Sequence, residues 1–231
     1  SKGNLMKKKL LAFSIALAFT GGAAPIVHAE GSIKAGQEKA AACASCHGED
    51  GNSMVSTFPK LAQQHESYLE RQLKDFKDGT RKDPVMSPMA MPLSDEDIAD
   101  IAAYYASRKI SANQLPVPDE DDEDEKPAAE TEKQEDPVQA LIAQGSDLYR
   151  NGDLKRKVSA CIACHGPFGE GNKPAAFPAL KSQHADYLIK ALKDAKSVAR
   201  SNNPDNMKHI IANKLTHELI EAVAYRISIM K

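Results

Sequence analysis

Cys43-Ala44-Ser45-Cys46-His47 and Cys161-Ile162-Ala163-Cys164-His165 decide how this 231-residue chain is read. They hold all four of its cysteines, and each runs on into a glycine, Gly48 or Gly166. The likeness continues downstream. Gly51-Asn52, Phe58-Pro59-Lys60-Leu61, Gln64-His65-Glu66-Ser67-Tyr68-Leu69 and Leu73-Lys74-Asp75 recur as Gly171-Asn172, Phe177-Pro178-Ala179-Leu180, Gln183-His184-Ala185-Asp186-Tyr187-Leu188 and Leu192-Lys193-Asp194. The order is the same and the offset stays within 118 to 120 residues, so the chain carries two copies of one module.

An even number of cysteines in an exported chain would ordinarily suggest disulfides. Here each close pair is followed directly by histidine, the signature of covalent haem attachment. Two thiols one helical turn apart can add to the two vinyl groups of a porphyrin, and the adjacent imidazole then faces the iron. Cys43, Cys46, Cys161 and Cys164 are thus the expected attachment points of two haem c groups, and His47 and His165 the proximal ligands. Covalent attachment suits modules of about 90 residues without tryptophan, which have little core of their own.

The sixth iron position needs a residue from elsewhere in each module, and a methionine thioether there raises the potential. The first module offers Met86, Met89 and Met91, with Met54 nearer the cysteines. Spacing alone does not choose among the cluster. The second offers Met207, with His209 two residues on as a bis-histidine alternative and Met230 at the tail. Pro59 and Pro178 lack an amide hydrogen and each leaves a carbonyl that can accept, and a carbonyl of the preceding or nearby backbone is expected to hold the ring N–H of the proximal histidine. His65 and His184 read as capping or packing residues, and Tyr68, Tyr104, Tyr187 and Tyr225 as haem walls or core cover.

The expected fold class is all-α. Helices are predicted over Ile33 to Ala44, Glu66 to Asp78 and from Ser94 onward, with Ser94 and Asp97 forming a capping box. The second module should match with Ala140 to Tyr149, His184 to Lys196 and Thr216 to Ile229. No stretch alternates long enough for a sheet. Residues 1–29 have the plan of an export signal: Met6 to Lys9 basic, Leu10 to Phe19 apolar, and a small residue at Ala29. Its retention as an anchor stays open. Modules are expected at 30–115 and 139–231. The joining segment 116–138 is rich in proline and carries seven consecutive carboxylates, Asp119 to Glu125, which favours an extended spacer. Net charge is -3 for 30–115, -9 for the linker and +6 for 139–231, against -2 for the whole chain. Such asymmetry can steer encounters with a redox partner or between the modules. Compartment and cofactor exclude nucleic acid.

From residue 31 to 115 and from 139 to 231 the chain resembles the di-haem cytochrome c4 family, through Cys-x-x-Cys-His-Gly-x-x-Gly-Asn, Phe58-Pro59-Lys60-Leu61-Ala62-x-Gln64 and the final-helix stretch Ser94 to Tyr105. The resemblance implies two tandem class I cytochrome c domains, each wrapping one covalent haem. It implies a periplasmic protein, soluble or associated with the membrane face, that donates electrons to a terminal oxidase. It points to Met86 as the first distal ligand, seven residues before Leu93-Ser94. Met207 lies eight before Leu215-Thr216, a difference that one inserted residue would absorb. The linker is longer and more acidic than the family's.

The expected role is therefore an electron carrier, not an enzyme, accepting electrons from a quinol-oxidising complex or small cytochrome. Alternative readings are the cytochrome subunit of a flavin-dependent sulfide dehydrogenase and a di-haem peroxidase, the latter needing one open iron position.

Overall fold

The computed structural model describes residues 30–116 and 137–231. The export-signal reading and the carboxylate run lie outside the described residues. The first module contains α1 (Ile33–Lys39), α2 (Ala44–His47), α3 (Glu66–Asp78), α4 (Met86–Ala90) and α5 (Asp95–Ala106). The second contains α6 (Pro137–Asn151), α7 (Ile162–His165), α8 (Ala185–Lys196), α9 (Met207–Ala212) and α10 (His217–Ser228). The only pairing of extended backbone among the described residues is two isolated bridges, Asp153 with Val158 and Asn172 with Phe177.

Each module is organised by its first and last helices. α1 crosses α5, and α6 crosses α10, at a glycine that allows the backbones to touch. A Cβ on Gly36 would stand 1.9 Å from the Asp100 carbonyl oxygen, so no other residue fits there without moving the helix. α3 then packs on α5 and α8 on α10, while the short α4 and α9 lean on α3 and α8. The helix ends follow the sequence. Ser94 Oγ accepts from Asp97 N–H at 3.0 Å and Asp97 Oδ2 accepts from Ser94 N–H at 2.9 Å, the expected capping box. Thr216 Oγ1 caps α10 by accepting from Leu219 N–H at 3.2 Å.

The expected helix from Ile33 to Ala44 is not continuous. It ends at Lys39 and tightens into a 3-10 turn over Ala40–Ala42, closed by Cys43 N–H to the Ala40 carbonyl at 2.9 Å. The tighter turn redirects the chain into α2 and buries His47. α6 already includes Pro137 and Val138, inside the stretch read as linker, and Val138 is buried against Ile142 and Tyr225.

The two cores are shaped alike but filled differently. Ile101, Tyr105, Leu69 and Ala40 cluster in the first; Leu148, Tyr149, Leu188, Ile220, Val223, Ile227 and Met230 cluster in the second. Burying each large aliphatic side chain contributes about 1.5–3 kcal/mol. Tyr105 comes from the last helix of its module, opposite the small Ala40. At the matching places stand Ile227 on α10 and Tyr149 on α6, so the aromatic ring has changed helices between the copies.

Candidate haem centres

α2 and α7 are single helical turns that space each cysteine pair. Each ends at a glycine with positive φ, Gly48 at 80° and Gly166 at 76°, which turns the chain away beneath the histidine. The Gly51 carbonyl then accepts from Leu61 N–H at 2.8 Å, and the Gly169 carbonyl from Leu180 N–H at 2.7 Å. These bonds bring Phe-Pro-x-Leu back against the cysteine motif. As a result His47 Nδ1–H donates to the Pro59 carbonyl at 2.9 Å, and His165 Nδ1–H to the Pro178 carbonyl at 3.0 Å. Phe58 and Phe177 flank the rings, each with its centroid 6.4 Å away.

This geometry fixes the tautomer and leaves Nε2 with a lone pair that could ligate an iron. Burial lowers both imidazoles from the usual histidine value, His165 to about 4, which favours the neutral ring that keeps a lone pair. All four cysteines are free thiols and none is paired with another. Burial pushes the Cys43 thiol up and the Cys161 thiol up to about 11. A buried tyrosine stands at the first cysteine of each pair. Tyr105 Oη lies against Cys43 and has no nitrogen or oxygen partner, whereas Tyr149 Oη, near Cys161, donates to the Gly166 carbonyl at 2.7 Å. The donor set of two thiols, an oriented neutral imidazole and soft thioethers fits haem c. A bound haem c supplies one-electron chemistry at its iron.

Met86 is the first residue of α4 and Met207 the first of α9. The extra residue before Thr216 lies within the helix, six residues in α9 against five in α4. Met86 is partly buried, Met207, Met89 and Met91 are exposed, and Met54 almost wholly so. Met230 belongs to the core. His209 Nδ1 sits 3.0 Å from the Ala195 carbonyl, a contact that ties α9 to α8.

The modules meet through the same segments that orient the histidines. Gln64 Oε1 accepts from Ala179 N–H at 2.8 Å while its Nε2 donates to the Ala179 carbonyl at 2.9 Å. In return Gln183 Oε1 accepts from Lys60 N–H at 2.8 Å and its Nε2 donates to the Lys60 carbonyl at 2.9 Å. Lys60 and Ala179 directly follow the two prolines. His65 and His184, expected as capping or packing residues, sit at the N-caps of α3 and α8 without capping them. They reach across instead, His65 Nε2 to the Glu170 carbonyl at 2.7 Å and His184 Nε2 to the Ser53 carbonyl at 2.9 Å. One part of the contact is not reciprocal. Arg200 of the second module donates to Tyr68 Oη at 2.9 Å and Gln72 Oε1 at 3.1 Å, and Asn202 donates to Asp75 at 2.7 Å. Its counterpart Arg81 stays within the first module, bonded to Gln72 at 2.9 Å. Tyr105, Tyr149, Arg200 and the bridging roles of Gln64 and Gln183 were not among the expected functional residues. The glutamines had a signal, recurrence at matching places in the repeat.

Comparison with known proteins agrees with this arrangement. The family model described as Cytochrome c matches residues 33–109 and again 142–224. Cytochrome c4 of Azotobacter vinelandii is 41% identical over 229 residues, covering 95% of this chain and 97% of that one. The crystal structure of reduced recombinant cytochrome c4 from Pseudomonas stutzeri superposes with a TM-score of 0.74 at 40% identity, over 87% of this chain and 100% of that one. A protein named thiosulfate dehydrogenase electron acceptor, from Thiomonas intermedia (strain K12), is 35% identical over 197 residues, 85% of this chain and 82% of its own. With two cytochrome c modules, two covalent haem c groups and this similarity along its length, the chain belongs to the di-haem cytochrome c4 family of electron-transfer proteins.

Proposed function

We propose that the protein relays single electrons from a quinol-oxidising complex to a terminal oxidase, using its two haem sites in series. Cys43, Cys46, Cys161 and Cys164 anchor the haems, His47 and His165 ligate from the proximal side, and Met86 and Met207 from the distal side. The observation that carries this reading is the continuous path from one proximal ligand toward the other module: His47 to Pro59 by a hydrogen bond, Pro59 to Lys60 by the chain, and Lys60 to Gln183 by two more. Its mirror runs from His165 through Pro178 and Ala179 to Gln64. The functional units are residues 30–115 and 139–231, joined by 116–138. The export-signal pattern and the likeness to cytochrome c4 support a periplasmic location, dissolved or resting on the membrane face. Among the described residues no helix is long and apolar enough to cross a membrane.

The test is turnover of the holoprotein between a purified quinol-oxidising complex and a solubilised terminal oxidase. Rapid reduction by the first and oxidation by the second are expected, with no peroxide consumption. Failure to react with the oxidase would sink the reading. The relative named as a thiosulfate dehydrogenase electron acceptor favours one second reading, that the donor is such a dehydrogenase. Reduction in the presence of thiosulfate and that enzyme, faster than by the quinol-oxidising complex, would decide for it.

A further inference from the structure

The two modules part company just before the cysteine motif. From Gly36 to Cys43 the chain takes seven residues; from the matching Gly145 to Cys161 it takes sixteen. The additional residues form a fixed hairpin. Asp153 and Val158 exchange N–H···O bonds of 2.9 and 2.8 Å, and Lys157 N–H returns to the Leu154 carbonyl at 3.2 Å. The Asp153 carboxylate holds the turn from within, accepting from Arg156 N–H at 2.9 Å and its guanidinium at 2.6 Å. Lys214 Nζ donates to the Lys157 carbonyl at 2.6 Å, fastening the tip to the turn ahead of α10.

What this hairpin displays contributes nothing to the core. Val158 is 5% exposed, but Leu154 is 93% exposed at the tip. Lys155, Arg156 and Lys157 follow it, all exposed, and exposed Lys214 adds a fourth cation. Asp153 offsets one of the four charges, through Arg156. An apolar centre with a charged rim on an ordered turn has the make-up of a small docking point. Ser159-Ala160 then leads straight to Cys161, so anything seated there lies beside the second haem attachment.

We propose that the Asp153–Val158 hairpin docks onto an acidic face of a redox partner protein, with Leu154 filling a pocket at the centre, and that electrons cross to the partner from the second module. The proposal rests on the reading that the partners are redox proteins. Charge complementarity selects an acidic surface. One leucine offers too little apolar area to hold a lipid surface but enough to anchor a transient protein contact. The first module has no such turn, since Ala40–Ala42 runs directly into Cys43, and it carries net negative charge.

The experiment is stopped-flow oxidation of the reduced holoprotein by solubilised terminal oxidase across a range of ionic strength. Lys155→Glu/Lys157→Glu is expected to slow the second-order rate about tenfold at low salt, with the gap closing at high salt. Leu154→Ser is expected to slow it about threefold at every salt concentration. Lys34→Glu in the first module and reduction by dithionite should be unchanged, which separates docking from damage to the haem site. Rates equal to wild type in both hairpin variants, or an equal loss in Lys34→Glu, would overturn the proposal. So would binding to phosphatidylglycerol vesicles that Leu154→Ser abolishes while the oxidase rate stays intact. If the wild-type protein does not react with the oxidase at all, the proposed function falls and this inference with it.

Discussion

Gly145 and Ala222 touch backbone to backbone: a Cβ on Gly145 would stand 1.9 Å from the Ala222 carbonyl oxygen. Neither partner can yield, because one is a helix backbone and the other has no side chain to rotate. Gly145→Ala is therefore expected to push α6 off α10 and cost about 3 kcal/mol or more. Chemical denaturation of the holoprotein should show the second module melting first. Gly36→Ala should do the same to the first module.

Gln64 and Gln183 each satisfy an N–H and a carbonyl of the other module, the Lys60 pair buried and the Ala179 pair partly so. Truncating either leaves both groups without a partner, so Gln64→Ala and Gln183→Ala should each weaken docking by about 1–3 kcal/mol. Amide hydrogen exchange is the direct readout. Gln183→Ala should speed exchange at Lys60, and Gln64→Ala at Ala179. The double variant tests whether the two pairs act as one unit.

Desolvation, assisted by nearby Lys60, lowers the pKa of His184 from the ordinary histidine value, against the raising effects of its Ser53 hydrogen bond and of Asp186. The folded protein thus resists protonation there, and the unfolded chain binds the extra proton. The contribution is fully present above the ordinary histidine value and is lost as pH falls from there through the lowered one. Inter-module contact should weaken on that acid limb. His184→Gln, which keeps a donor for the Ser53 carbonyl, should flatten the limb when denaturation midpoints are compared between about pH 5 and pH 8.

Met86 and Met207 open equivalent helices, so each should govern its own haem. Met86→Ala should abolish one methionine-to-iron near-infrared band and lower one of the two potentials by roughly 0.1–0.3 V, within the ~0.8 V that axial ligands span. Met207→Ala should remove the other band. His209→Ala should leave both in place. A bis-histidine signal lost in His209→Ala would reassign the second site.

Much of this arrangement is legible in the sequence because duplication repeats the evidence. The long helices, the Ser94–Asp97 capping box and the cysteine motifs each rest on local chemistry that the second copy restates. Other features depend on partners far along the chain. Tyr105 and Tyr149 do a similar job from different helices. Their equivalence emerges only once the Gly36–Asp100 and Gly145–Ala222 contacts set the register of the two copies. The hairpin at Asp153 escapes notice because its residues neither alternate nor carry the usual two-residue turn signal. The glutamines repeat visibly, but a repeat states a period and not what each residue meets.

Asn113 has a consequence for how the chain can vary. The two N–H groups of its Nδ2 are shared among the Ser182 and Gln183 carbonyls, both at 3.0 Å, and the Ser228 carbonyl at 2.9 Å, stitching the exit from the first module onto the second. Lys60 Nζ holds the same segment, donating to the Ser111 carbonyl and Asn113 Oδ1 at 2.7 Å each. These contacts between the modules are thus made by residues that precede the acidic stretch. Natural variation can therefore lengthen or recharge that stretch while the register between the two haem centres is inherited unchanged.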